Sequence, residues 1–233
     1  MTMSELPART GNNAVAAFLN QARAVSARPA PIPAGRLLFL MDATASRQPT
    51  WDTACSLMAG MFAAVGGLGG LSVQLAYFRG HAEFAATPFL ADAEELTRRM
   101  GGVRCLGGHT QILRALTHAL EETRRLRVHA VVLVGDALEE ALDPICHLAG
   151  QLGIAGTPVF AFHEGGERVS AEGFRQIAKL SGGAFMPFDS GSAGALRDLL
   201  KAVAIFAAKG RAGLGALPGG TARGLLAQLP GPR

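Results

Sequence analysis

Hydrophobic and polar positions along the chain alternate between two periods. Leu37-Leu38-Phe39-Leu40-Met41 is a continuous apolar run that stops abruptly at Asp42, the pattern of a strand buried on both faces of a parallel sheet. Val128 to Val134 is a second such run, ending at Gly135-Asp136. Leu71 to Arg79 alternates (Leu71, Val73, Leu75, Tyr77), and Ala82 to Ala86 predicts a short antiparallel partner after a turn at Gly80. Further strands are predicted at 158–162 and 184–188. Between them the period is helical. One helix is predicted over 49–65, with Trp51, Ala54, Cys55, Met58 and Phe62 inward, and another from Asp92 to about Met100. Gly107-Gly108-His109-Thr110 is expected to open a helix to about Arg125, with Ile112, Leu113, Leu116, Ala119 and Leu120 on its apolar stripe. Helices ending near Leu152 and covering 171–180 and 193–208 complete the series. Strands alternating with helices give an α/β, doubly wound, mostly parallel sheet with helices on both faces and one short antiparallel edge strand.

The ends differ from this middle. Asn12 and Asn13 can cap a helix over about 14–26, followed by a stiff linker at Pro29, Pro31 and Pro33. An Arg-bearing, acid-poor start also has the composition of a mitochondrial presequence, but a helix packed on the domain, or an arm for a partner, is the preferred reading. From Lys209 the glycines, prolines and arginines predict a disordered tail. The expected organisation is thus 1–35, an N-terminal helix and Pro-rich linker; 36–208, the α/β domain; and 209–233, a flexible basic Gly/Pro-rich tail.

Charge follows the same division. The net charge of +4 conceals 13 basic and 17 acidic residues in 37–198, a net of −4, against 9 basic and 1 acidic in the flanks, a net of +8. Only the flanks invite a nucleic-acid or anionic-surface reading. With no aromatic stacking platform beyond Phe18 and Phe206, nucleic acid is not the expected partner. The uncharged stretch from Thr53 to Phe78 is broken by Gly66, Gly67, Gly69 and Gly70 and reads as helix, loop and strand, not as a membrane span. Cys55, Cys105 and Cys146 are odd in number and lack zinc spacing, which points to reduced thiols and a cytoplasmic setting. Arginine outnumbers lysine 19 to 3, as in GC-rich bacterial genomes.

Chemistry concentrates where the first strand ends. In an extended segment alternate side chains share a side, so Asp42, Thr44 and Ser46 can converge on one point. Asp, Thr and Ser are also common before helices, and a strand end followed by an N-cap accounts for them equally well in isolation. Two later positions alter the balance. In a doubly wound sheet the first and fourth long strands lie side by side where the winding reverses, which brings Asp136 beside Asp42. Thr110 can reach the gap from its glycine-rich loop. Hard oxygen donors of this kind suit magnesium or calcium.

Asp42-x-Thr44-x-Ser46, the distant Thr110 and the later Asp136 resemble the von Willebrand factor A-type (VWA) domain with its metal-ion-dependent adhesion site (MIDAS), which has an Asp-x-Ser-x-Ser loop, a Thr and an Asp in that order. The resemblance covers roughly residues 36–208 and includes Gly107-Gly108-His109-Thr110 and Ile177 to Phe185, similar to that family's approach to its final strand. Thr44 stands where Ser is commoner, and Gly135-Asp136-Ala137-Leu138-Glu139-Glu140 stands where many members carry Asp-Gly. The resemblance implies a Rossmann-like VWA fold of the bacterial intracellular type. It implies metal ligation by the hydroxyls of Thr44, Ser46 and Thr110, and by Asp42 and Asp136 directly or through water. The implied ion is Mg2+, with Mn2+ or Ca2+ as alternatives. The implied partner is a protein offering a carboxylate, among them ATPases or stress-system components. Glu139 and Glu140 are expected nearby, as helix-start charges or as groups moderating the ion.

An enzyme is the competing reading. A haloacid-dehalogenase-like, Mg2+-dependent phosphatase would use Asp42 as nucleophile and Gly135-Asp136 through Glu140 as its late acidic motif. That chemistry normally needs a second Asp at position 44 and a lysine before the late motif, whereas the lysines here are 179, 201 and 209. No catalytic residue is therefore assigned. G-x-S-x-G, GxGxxG and P-loop patterns are absent, as is any Cys/His metal spacing.

Overall fold

The structure, a computed structural model, describes residues 35–65, 70–188 and 193–231. The N-terminal helix and proline linker expected from the sequence, and most of the Gly66–Gly70 loop, lie outside the described residues.

Six strands form one sheet: β1 (Gly35–Asp42), β2 (Leu71–Arg79), β3 (Glu83–Ala86), β4 (Ala130–Gly135), β5 (Val159–Glu164) and β6 (Ala184–Phe188). Their spatial order is β3-β2-β1-β4-β5-β6; every pairing is parallel except β2 with β3. The winding runs one way from β1 to β2 and the other way from β4 onward, so β1 and β4 border the crevice where such sheets bind ligands. Met41 pairs with Val134, the last register pair, so Asp42 and Asp136 both lie just past it on the same edge.

Helices cover both faces because the central strands are apolar on both. Leu37, Phe39 and Met41 of β1, with Ala130, Val132 and Val134 of β4, face α1 (Gln48–Val65), α2 (Ala93–Gly101), α6 (Ala193–Gly215) and α7 (Gly220–Gln228), whose buried members include Trp51, Leu96, Val203 and Leu225. Leu38, Leu40, Val131 and Leu133 face α3 (Ile112–Arg125), α4 (Leu142–Ile154) and α5 (Arg168–Ser181) through Leu116, Ala149, Phe174 and Ile177. Complete burial of such side chains stabilises by about 1.5–3 kcal/mol each. Gly182 ends α5 in the left-handed region (φ 73°), and Gly183 follows where a Cβ would lie 1.9 Å from the Val159 carbonyl oxygen. That glycine pair lets the chain turn directly into β6.

Two expectations differ from the structure. Residues 107–111 are not helical; α3 begins at Ile112, because the Gly108 backbone packs against Gly80 and holds the preceding segment out of the helix. The C-terminal residues are not an unstructured tail. α6 continues past a kink at Gly210 (φ 66°) to Gly215, and α7 follows, with Leu214 and Leu225 fully buried. Their leucines outweigh a composition that resembles disorder. Among the described residues no helix is long and apolar enough to cross a membrane.

Candidate metal centre

The site is made by three loops at the carboxyl edge of the sheet. After β1 the chain turns through a short 3-10 segment, Ala45–Arg47, that delivers Thr44 and Ser46 above Asp42. The Thr44 N–H donates to Asp42 Oδ1 at 2.7 Å, which fixes the carboxylate and starts the turn. The second loop is held by main-chain bonds, to the first loop by the Leu106 N–H to the Ala43 carbonyl at 3.0 Å and to the turn between β2 and β3 by the His109 N–H to the Gly80 carbonyl at 3.2 Å. A Cβ at Gly108 would lie 1.9 Å from that same Gly80 oxygen, so only glycine allows this approach. The third loop follows β4, and there Asp136 is anchored through its carbonyl to the buried His163, whose Nε2 donates at 3.0 Å.

Asp42, Thr44, Ser46, Thr110 and Asp136 all line one pocket of about 240 Å³, together with Gly107, Gly108, Ala137 and Glu139. The Thr44 and Ser46 hydroxyls are 3.4 Å apart, and Ser46 Oγ donates to Asp136 Oδ2 at 3.0 Å. Neighbouring vertices of an octahedral oxygen shell with bonds of about 2.1 Å are separated by about 3 Å, so this spacing matches a hard cation's demand. Thr110 is held by a reciprocal clamp: its N–H donates to Glu139 Oε2 at 3.0 Å, and its hydroxyl accepts the Glu139 N–H at 3.1 Å. One lone pair of that hydroxyl is left over.

Asp42 supplies the sharpest indication that the pocket suits a cation. It is 2% exposed, and its Oδ2 has no hydrogen-bond partner. Burial pushes its carboxyl up to about 6, opposed by the Thr44 hydrogen bonds and reinforced by the Asp136 carboxylate. A buried, unpaired carboxylate oxygen at the base of a hydroxyl-lined pocket is a poor arrangement alone and a good one with a cation. The residues present therefore fit a divalent ion. Among the described residues no cluster of three or more His, Cys, Asp or Glu could hold a metal.

Four features escaped the sequence reading. Arg47 is buried beneath the pocket: its Nη1 pairs with Glu164, its Nη2 donates to the Ser46 carbonyl at 3.2 Å, and its Nε lies 3.3 Å from Asp136 Oδ2 without hydrogen-bond alignment. Thr50 donates to the same Glu164 oxygen. His163 is held below its ordinary pKa, chiefly by burial. Glu140 does not start α4; its carboxylate takes the Ile112 and Leu113 N–H groups at the head of α3. Apart from the bond of Arg47 to its neighbour Ser46, each partnership joins residues at least 27 positions apart, beyond the reach of local pattern. The phosphatase alternative gains nothing from the geometry, since no lysine lines the pocket and position 44 offers a hydroxyl. Cys55, Cys105 and Cys146 are free and half-buried, with the Cys55 and Cys105 thiols pushed up to about 11, first by burial. A larger cavity of about 710 Å³, at the opposite edge by Ile154, Pro158 and Phe206, contains no carboxylate.

No protein-family model and no curated protein matches the chain. Solved structures do. A von Willebrand factor type A protein from Catenulispora acidiphila aligns with a TM-score of 0.57 at 17% identity, covering 72% of this chain and 42% of that one. Proximal thread matrix protein 1 from the mussel byssus, with a zinc-occupied MIDAS motif, aligns with a TM-score of 0.56 at 16% identity over 74% of this chain and 47% of that one. The SpRpn10 VWA domain aligns with a TM-score of 0.52 at 10% identity over 67% of this chain and 88% of that domain. The chain spans less than half the length of the first two. The six-stranded order, the single antiparallel edge strand and the helices on both faces are those of the VWA fold.

Proposed function

We propose that this chain is a protein-binding module that works through a divalent cation, Mg2+ by preference, held by Asp42, Thr44, Ser46, Thr110 and Asp136. The observation that carries the reading is the unpartnered Asp42 Oδ2, buried at the base of a pocket that also presents the hydroxyls of Thr44, Ser46 and Thr110 and the carboxylate of Asp136. When bound, the ion would supply a charge only partly neutralised by these ligands, open to a carboxylate from a partner protein. The chain's own residues do the rest. Asp42 is fixed by the Thr44 N–H, Ser46 is oriented by its bond to Asp136, and Thr110 is immobilised by Glu139. Asp136, already accepting from Ser46, is suited to act through water or through that hydroxyl.

The zinc-occupied mussel protein of the same fold supports a divalent centre but not the identity of the ion. Mn2+ and Ca2+ are the alternatives. A protein partner offering an acidic side chain, an ATPase or stress-system component among the candidates, belongs to the same proposal. So does a bacterial cytoplasmic setting, consistent with three unpaired cysteines. We assign no enzymatic activity.

Titration calorimetry with Mg2+ and Mn2+ on the wild type and Asp42→Ala tests the reading. Saturable binding to the wild type, lost in the variant while the fold persists by circular dichroism, is the expected result. Equal heats for both proteins would remove the site. Turnover of a phosphomonoester that disappears in Asp42→Asn would replace the binding module with a phosphatase.

A further inference from the structure

Arg47 has no part in the ligand set, yet its guanidinium lies in direct reach of Asp136. Its side chain is 8% exposed, and its guanidinium is committed on three sides: Nη1 to Glu164, Nη2 to the Ser46 carbonyl, and Nε facing Asp136 Oδ2 at 3.3 Å. Glu164 is equally enclosed, at 5% exposed, and its one oxygen, Oε2, takes both the Arg47 guanidinium and the Thr50 hydroxyl. The cation is therefore held from the side away from the pocket by Glu164. The remaining edge of the guanidinium is turned to the same Asp136 oxygen that accepts from Ser46.

From this placement we propose that Arg47 is a built-in competitor for the divalent ion, restrained by Glu164, which sets how tightly the centre holds metal. The inference rests on the reading of the site as a divalent-cation centre. Guanidinium and ion draw on one carboxylate, and the negative charge Asp136 offers to the pocket falls by whatever Arg47 takes. Glu164 limits that share by holding Arg47 back. The two carboxylates of the ligand set, Asp42 and Asp136, would otherwise favour strong retention of metal; a fixed monovalent cation beside one of them weakens it. The pair thus tunes metal affinity without contributing a ligand, and Arg47 acts through Asp136 as a positioning residue.

A plain structural role predicts the opposite sign. Arg47 bonds the Ser46 carbonyl and so also braces the loop that carries Thr44 and Ser46. If bracing were its whole contribution, removing it would loosen the ligands and weaken metal binding. If competition dominates, removing it strengthens binding. Mg2+ titrations on wild type, Arg47→Met, Arg47→Lys, Glu164→Gln and the double variant Arg47→Met/Glu164→Gln separate the two, with a thermal melt on each to confirm folding. The expected result is a roughly tenfold tighter Kd for Arg47→Met, the scale of removing one charge about 6 Å from a divalent ion when the interaction is screened as in water. Arg47→Lys should remain near wild type and Glu164→Gln should bind more weakly. The double variant leaves neither Arg47 nor Glu164 behind as an uncompensated buried charge and should keep the gain, which preserves the test if Arg47→Met alone fails to fold. Binding equal to or weaker than wild type in folded Arg47→Met, or in the double variant where the single is unfolded, overturns the inference. Absence of binding in all five proteins, with no difference from Asp42→Ala, overturns the cation centre itself and this inference with it.

Discussion

The rim loops around Asp42 and the C-terminal segment from Lys209 to Gly231 sit in one domain and are held by opposite means. At the rim, little regular structure survives past the strand ends. Order comes from polar contacts: Thr44 on Asp42, the Thr110–Glu139 clamp, Glu140 on the head of α3, and His163 beneath Asp136. The C-terminal segment is helical and depends on volume, with Leu214 and Leu225 fully buried and Ala222 and Leu229 nearly so. Its polar bonds lie at the margins. Arg211 donates to the Leu226, Leu229 and Pro230 carbonyls, and the Gln228 amide pairs with both the N–H and the carbonyl of Phe185 on the open edge of β6. A region assembled from charges and hydrogen bonds should respond to pH, ions and single polar atoms. One assembled from buried leucines should respond to lost methylenes and ignore all three.

The largest effect tests the apolar side. Leu225→Ala removes a fully buried side chain from between α7 and the sheet, and should cost about 4 kcal/mol, in the upper half of the usual range for such truncations. Urea denaturation would show the loss at any pH and with or without divalent salt. A loss below about 1 kcal/mol would mean that α7 is peripheral to the cooperative unit.

The rim should show the converse. The Asp42 carboxyl is raised from 3.8 to about 6 in the folded protein, so the native state binds the proton more tightly than the unfolded chain. Stability is then greatest below the unfolded value and falls as pH rises from about 4 to about 6, because ionised Asp42 is buried unpaired. A shift of that size is worth on the order of 2–3 kcal/mol. In chelator-treated protein, denaturation at pH 4.5 and 7.5 should show the decline, Asp42→Asn should flatten it, and millimolar Mg2+ should restore the wild type at pH 7.5. A pH-independent wild type, or recovery by Mg2+ in Asp42→Asn as well, would break the link between this carboxylate and an ion.

The same contrast explains what the sequence disclosed. Leu37 to Met41 and Val128 to Val134 announce central strands because burial on both faces leaves no polar residue, and the carboxylates that end them mark the edge. Asp42, Thr44 and Ser46 could be grouped because strand-like alternation is a local property, and Asp136 because the winding order follows from chirality. Arg47 and Glu164 could not be paired, being 117 positions apart. Nor could Glu140 be assigned to α3, since a cap supplied by another loop leaves no trace near the helix it caps. In the C-terminal segment the glycines and prolines were visible, but the surface that Leu214, Leu225 and Leu229 would cover was not.

The smallest effect concerns that distant cap. No acidic residue falls in the first turn of α3, and Gln111 at its head makes no side-chain capping bond. The helix is capped instead by Glu140, whose two oxygens accept the Ile112 and Leu113 N–H groups at 2.5 and 3.0 Å. A carboxylate there satisfies two orphan donors and lies against the positive end of the helix dipole. Glu140→Ala should therefore cost about 1 kcal/mol, the ordinary value of a cap. Glu140→Gln should recover part of it by retaining one acceptor. Because Thr110 lies two residues before Ile112, fraying of this turn should also reach the centre. The expected signature is a several-fold weaker Mg2+ Kd in Glu140→Ala, with a smaller loss in Glu140→Gln. Loss of stability with unchanged Mg2+ affinity would show that the Glu139 clamp alone positions Thr110, and that the rim is two independent pieces of hydrogen bonding where the structure draws one.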